Sequence, residues 1–403
     1  MTERLASLFQ DEADRLPVPP PPSRDVLARG RSLRRRRRLG GGVGAVAAVA
    51  AISAGALLVG NLPGADRDSD AIPQGSDAPG AVFSIGTTVY LDDAAERGVV
   101  DDTAVKSLYY TSVGVLVRHG DNPWSDGGGP QRFSLVEPDG TVRSIGVTTE
   151  ETVHSTDPDQ PYLAFTEPEG DHSVVVVWDL ASDAEVGRVP LPAGFGYGAW
   201  DSPPVALDGP VVYVGGARQT LAVTWGTGEV VQAPGLPGGF PEVHGGRAVV
   251  DRGSEVRVVE AQTGEELLRI PVGDEGWSVL SPDGDFVLVE SAADPTDPSV
   301  DHEVYDVATG ESVAVTGLGD DAGWTPGGAL FSLDGNRLTT CSASTGECTT
   351  APVELDQTVS PAEEPGEVCT GEGDDPADWV CTTEGPPADY SRELKLGGRV
   401  YES

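Results

Sequence analysis

One tripeptide constrains this chain more than anything else in it. Thr-Gly-Glu recurs at Thr227–Glu229, Thr263–Glu265, Thr309–Glu311 and Thr345–Glu347. Each copy follows a short strand-like run, such as Val256-Arg-Val-Val259 or Glu303-Val-Tyr-Asp306. Most are followed by a second run, such as Leu267-Leu-Arg-Ile270. Two degenerate copies lie upstream, Asp139-Gly140-Thr141 and Asp183-Ala184-Glu185. The central residues fall at 140, 184, 228, 264, 310 and 346, at intervals of 44, 44, 36, 46 and 36. The mean of about 41 residues is the period of a four-stranded unit that buries its faces only by stacking on neighbours.

The rest of the sequence after Gly60 supports strands throughout. Short runs rich in Val, Leu and Tyr, such as Val113–Val117, Val174–Trp178, Val211–Val214 and Phe286–Val289, alternate with Gly, Asp and Pro turns. No long window shows helical periodicity, so the class is all-β. Trp200, Trp277 and Trp324 follow Gly-containing turns and precede strands that lead to Asp208-Gly209, Asp283-Gly284 and Asp334-Gly335. Asp-Gly supplies the positive φ angles of a tight hairpin. The tryptophans have the bulk to fill the wedge between adjacent units, and packing is their expected role.

Six units can be counted. Strand-like runs also precede them (Val82–Ile85, Thr88–Leu91) and follow them (Glu393–Leu396, Arg399–Glu402). The expected fold is therefore a β-propeller of six to seven blades. Seven is preferred, with N- and C-terminal strands completing one blade, because ring closure removes exposed sheet edges. The domain runs over 81–403, with an acidic Pro-rich insertion at 360–387.

Ser281-Pro-Asp-Gly-Asp-Phe-Val-Leu-Val289 followed by Val304-Tyr-Asp-Val-Ala-Thr-Gly-Glu311 resembles the repeat of WD40-like and quinoprotein-like β-propellers. Val174-Val-Val-Val-Trp-Asp-Leu180 is similar to the Trp-Asp end of a WD40 blade, although the Gly-His dipeptide of those repeats is missing. The resemblance covers roughly residues 105–350 and implies architecture. Propellers host enzymes and scaffolds alike, so it implies no activity.

The N-terminal part has a different character. Leu39–Gly60 is a run of 22 residues without a charge. As a helix it would extend about 33 Å, enough for a bilayer core of about 30 Å. It is preceded by Arg34, Arg35, Arg36, Arg37 and Arg38 and followed by the net-negative Gly64–Asp70. The positive-inside rule then places residues 1–38 in the cytoplasm and the large domain outside. The run exceeds the core of a signal peptide, so an uncleaved single-pass anchor at 39–60 is expected. Residues 2–16 suit a short amphipathic helix, and 61–80 read as a flexible stalk. Within that stalk Asp66-x-Asp68-x-Asp70 begins like a calcium loop, but the later Gly and Glu of such a loop are absent.

Residues 1–38 hold ten Arg and five acidic residues, leaving 16 basic and 60 acidic residues beyond Gly60, a net −44. A surface that acidic repels nucleic acid. All four cysteines, Cys341, Cys348, Cys369 and Cys381, fall in the exported part. Disulfides suit that compartment. Four cysteines allow three pairings; the nearest-neighbour one, Cys341–Cys348 and Cys369–Cys381, is expected. Their spacing does not match that of a zinc site.

No motif announces a reaction. His119, His154, His172, His244 and His302 show no metal-ligand spacing, and Asp171-His172 and Asp301-His302 read as surface polar pairs. No cofactor is implied. Two function classes follow. One is a non-catalytic interaction or sensing module with an unknown protein or cell-envelope ligand on the propeller face. The other is a hydrolase or lyase using rim carboxylates, with or without calcium. The layout of short tail, Arg-rich flank, single span and outer domain also resembles actinobacterial membrane proteins that accompany sigma factors. That resemblance implies a cytoplasmic protein partner on the tail. The zinc-binding His-x3-Cys-x2-Cys of many such proteins is absent, since residues 1–38 contain neither Cys nor His.

Overall fold

In the computed structural model, every Thr-Gly-Glu segment closes the outer hairpin of a four-stranded antiparallel sheet. The structure describes residues 80–124, 129–150, 152–196, 202–251, 253–272, 277–294, 297–319, 321–356, 359, 367–370, 380–383 and 389–399. The tail, the apolar run, the stalk and Arg34–Arg38 lie outside them. Among the described residues no helix is long and apolar enough to cross a membrane. The propeller belongs to one unit, Val46–Ser291 with Val300–Ser403. The other unit comprises Met1–Ala45 with Ala292–Ser299.

Seven sheets form the propeller. Blade 1 runs from the axis outward as Leu394–Leu396, Phe83–Ile85, Thr88–Leu91 and Glu96–Val99. Blades 2 to 7 begin at the axis with Ala104–Thr111, Ser155–Thr156, Val205–Asp208, Val243–His244, Trp277–Leu280 and Gly323–Trp324. Their outermost strands are Val142–Thr149, Ala184–Pro190, Glu229–Pro237, Glu266–Pro271, Ser312–Val315 and Cys348–Pro352. The burial patterns follow position. Ala104–Val105 and Leu108–Tyr110 on an inner strand are buried at every residue, because neighbouring blades cover both faces. On the outer strand Val142–Thr149, burial alternates over its last half. Apolar clusters sit between blades. Leu116, Phe133 and Leu135 of blade 2 meet Leu163, Phe165 and Val176 of blade 3.

The repeat has a local cause. Gly228, Gly264, Gly310 and Gly346 have φ near 70–75°, where a β-carbon is disfavoured. The N–H of each donates to the carbonyl four residues earlier, at 2.8–2.9 Å. The preceding Thr hydroxyl accepts the N–H of the following Glu at 3.2–3.4 Å in all four. This hydroxyl-to-backbone bond is the reason Thr occupies that position. In the degenerate copies Gly140 (φ 81°) and Asp183 (φ 50°) take the left-handed position.

The ring closes as the sequence predicts. Phe83, Ser84 and Ile85 stand opposite Leu396, Lys395 and Leu394. Gly86 N–H donates to Glu393 O and Gly397 N–H to Val82 O, both at 2.8 Å. Beyond the closing strand the Tyr110 hydroxyl of blade 2 donates to Trp324 O of blade 7 at 2.7 Å. Gly398 (φ +66°) passes so close to Trp324 that any β-carbon would meet its carbonyl.

Asp-Gly turns do a second job. Asp157 accepts the Gly209 N–H of the next blade at 2.6 Å, and Asp208 accepts the Gly246 N–H at 3.1 Å. Carboxylates thus bolt one blade to the next. Gly209 and Gly284 join the first and second strands of their blades, whereas Asp334-Gly335 joins the second and third. In blade 7 the inner turn is instead Thr325–Gly328, closed by Gly328 N–H on Thr325 O. Trp324 is 1% exposed and packs in the core between blades 6 and 7, as its expected role requires.

Cys341 and Cys348 stand opposite each other on the two outer strands of blade 7 and form a disulfide. Replacing both by alanine is expected to lower stability by about 2 kcal/mol, read as a lower urea midpoint at unchanged slope. Reduced wild type and the double variant should then melt alike. Cys369 and Cys381 are backbone partners in a separate hairpin, Glu367–Thr370 with Val380–Thr383, inside the insertion. Whether they are bonded concerns side chains outside the described ones.

Candidate functional site: the central channel

A propeller exposes its innermost strands to its axis, so one blade after another contributes to whatever the axis holds. Here the axis holds a cavity of about 80 Å³. Tyr110, Thr156, Ala206, His244 and Leu280 line it, one from the inner-strand region of each of blades 2 to 6. Arg399, just past the closing strand, completes the wall. Most of the wall is aliphatic, aromatic or proline. Its acidic, basic and imidazole groups are Glu242, His154, His244 and Arg399, and Ser155, Thr156, Tyr109 and Tyr110 add hydroxyls.

Among the described residues Glu242 is the one carboxyl on that wall. It accepts the Leu280 N–H of blade 6 at 2.6 Å, the same blade-to-blade bolt made by Asp157 and Asp208. Burial pushes its pKa up to about 7, only partly offset by the Leu280 bond. Burial pushes His244 down to about 4, against the pull of Asp157 and Asp283. His154 is held neutral by burial and then by the Arg118 charge. Its Nε2 lies 2.8 Å from Thr149 Oγ1, and its ring packs against Phe133 at 4.8 Å. Arg399 binds Asp321 at 2.8 Å and lies 5.3 Å from the Trp277 ring centroid.

This wall can present a weak acid, neutral imidazoles and one cation to a small ligand. A two-carboxylate hydrolysis needs a second carboxyl across the scissile bond, and among the described residues the wall offers Glu242 alone. Among the described residues no group of three His, Cys, Asp or Glu could hold a metal ion. Asp66, Asp68 and Asp70 lie outside them.

A second polar cluster was not visible in the sequence. In blade 2, Asp102 Oδ2 contacts His119 Nδ1, and His119 Nε2 lies 3.0 Å from Ser134 Oγ. The order matches a nucleophile, a base and an orienting carboxylate. Its surroundings argue otherwise. All three residues are largely buried, and no described cavity reaches Ser134. The Asp102 carboxylate is also gripped by both nitrogens of the Arg132 fork, at 2.7 and 2.8 Å. Burial works to raise the Asp102 pKa, but the bonds from Arg132 and His119 prevail and bring it down to about 2. The set is an ion-paired clasp joining the entry loop of blade 2 to its second and third strands. The wide separation of residues 102, 119 and 134 explains why spacing could not reveal it.

The remaining histidines divide. His172 pairs with Asp171 at 3.2 Å on the surface, as expected. His302 does not: it lies within a strand, is 4% exposed and sits 3.7 Å from Glu290. The alternation of the third strand of blade 6 turns it inward.

No known family profile matches the chain, and no curated protein matches its sequence. Solved structures do. TolB from Acinetobacter baumannii is 14% identical over 70% of this chain and 65% of its own, with a TM-score of 0.37. AztD from Citrobacter koseri is 13% identical over 69% and 95%, at 0.44. A protein of unknown function from Desulfotomaculum acetoxidans is 13% identical over 68% and 100%, at 0.42. At these values no ligand or activity carries over.

Proposed function

We propose that this chain is a membrane-anchored, extracytoplasmic β-propeller that binds a ligand or partner without catalysing a reaction. The observation that carries this reading is the channel wall. Its one carboxyl among the described residues, Glu242, bolts blade 5 to blade 6, and the wall around it is largely apolar. The anchor rests on Leu39–Gly60 and the flanking arginines, and the orientation on the positive-inside rule. The tail 1–38 is read as a docking peptide for a cytoplasmic protein such as a sigma factor.

The buried Ser134–His119–Asp102 set gives the test its sharpest arm. A fluorophosphonate probe offered to the intact chain is expected to leave Ser134 unlabelled, and chromogenic esters and glycosides are expected to remain unturned. Labelling of Ser134, or turnover abolished by Glu242→Gln, would replace this reading with the hydrolase one. Carbonate extraction is expected to leave the chain in the membrane pellet and to release it once 39–60 are deleted. Release of the undeleted chain would remove the anchor. Deleting 1–38 is expected to remove a cytoplasmic protein that the intact chain retains, and identical partners for both would remove the tail's role.

A further inference from the structure

Arg118 is the anomaly of the fold. It lies on the second strand of blade 2, opposite Ser107 and Phe133, and is 1% exposed. Its Nε and Nη2 atoms are buried without a hydrogen-bond partner. Among the described residues it has no ion pair. A guanidinium cannot escape by shedding its proton, and a buried charge without a partner is strongly disfavoured. Water could satisfy the N–H groups but not the charge.

The neighbouring groups share its sign or lack a partner. Lys395 on the closing strand is half-buried and has no ion pair among the described residues. Burial lowers its pKa, and the charges of Arg118 and Arg399 lower it further against the pull of Glu393 and Asp321. Opposite Lys395 stands Ser84, whose hydroxyl is buried and unpartnered. His154, which senses the Arg118 charge and lines the cavity, has an unpartnered Nδ1. Beyond Gly60 the chain carries a net −44, yet among the described residues no carboxylate is bonded to Arg118 or Lys395.

We propose that Arg118, together with Lys395, Ser84 and His154, forms a binding site for a small oxyanion. The planar fork of Arg118 would take two oxygens of a carboxylate or phosphate group, and the cation would be neutralised where no protein group does so. The site is independent of the reading above, since a buried anion suits a binding propeller and an enzymatic one equally.

The test is thermal melting of the full chain in acetate, inorganic phosphate or sulfate, against chloride at matched ionic strength. A saturable rise of about 2 °C or more is expected in at least one of the three. Which one raises the melting point separates a carboxylate source from a phosphate one. Arg118→Met keeps the length and removes the charge. It is expected to melt at or above wild type in chloride and to lose the oxyanion response. Arg118→Lys keeps the charge without the fork and is expected to need at least tenfold more oxyanion for half the rise. Three outcomes would each overturn the site: no oxyanion-specific rise in wild type, the same rise in Arg118→Met, or an unchanged midpoint in Arg118→Lys. The last also covers the case in which Arg118→Met does not fold.

Discussion

Ending the chain at Tyr390 is expected to abolish its cooperative melting transition. The cut removes Leu394–Leu396, the inner strand of blade 1, and leaves Phe83–Ile85 as an unpaired edge facing the axis. It uncovers the cluster in which Leu396 meets Phe83, Ile85 and Phe331, joining blades 1 and 7. Two leucines lost from such packing, with the ladder bonds at Gly86 and Gly397, amount to about 5 kcal/mol or more. Domains of this kind hold about 5–15 kcal/mol in all. Blade 1 would then offer an edge to other chains, so oligomers are expected as well. Calorimetry and size-exclusion chromatography read both effects. A monomer with a wild-type transition would show that the ring does not depend on its closing strand.

That dependence was legible because closure is a counting problem. Five Gly-centred turns and Asp183-Ala184-Glu185 gave six units, and strand-like runs at both ends pointed to the seventh, which takes Leu394–Leu396 from the C-terminal side and three strands, Glu96–Val99 included, from the N-terminal side. The Thr-Gly-Glu turn signals so clearly because Thr, Gly and the backbone two residues on each do a fixed job in it. The Asp-Gly turn is a weaker marker, since Asp334-Gly335 serves a different hairpin from Asp208-Gly209. Side-chain fates were harder to read. Val115-Leu-Val-Arg-His119 looks like a strand whose last residues emerge into water, yet Arg118 and His119 are buried. The second strand of a blade is covered on both faces, and that cover is a tertiary fact. His302, expected in a surface pair, is buried on the third strand of blade 6, again through cover that only the assembled blades supply. The clasp of Asp102, His119 and Ser134 depends on strands of one blade pairing, and the place of Glu242 on the axis depends on blades meeting. Neither leaves a local pattern.

Glu242→Gln is expected to make stability rise with pH where the wild-type contribution is nearly flat. Glu242 has a folded pKa of about 7 against an ordinary 4.5, so the fold prefers its protonated form. Its contribution is complete below pH 4.5 and is lost as pH rises through 7. His244 has a folded pKa of about 4 against 6.5, so the fold prefers its neutral form. That contribution is complete above pH 6.5 and is lost as pH falls through 4. Each shift corresponds to about 3 kcal/mol. The slopes oppose each other over almost the same window, so in the wild type the two residues nearly cancel. Glutamine keeps the oxygen that accepts the Leu280 N–H and never ionises, which leaves His244 unopposed. Urea midpoints at pH 4.5, 5.5, 6.5 and 7.5 should therefore show the variant equal to wild type at the acid end. Its advantage should then widen to about 3 kcal/mol at pH 7.5. A gap that stays constant with pH would mean that Glu242 titrates as an ordinary carboxylate. The channel wall would then carry a full negative charge at neutral pH.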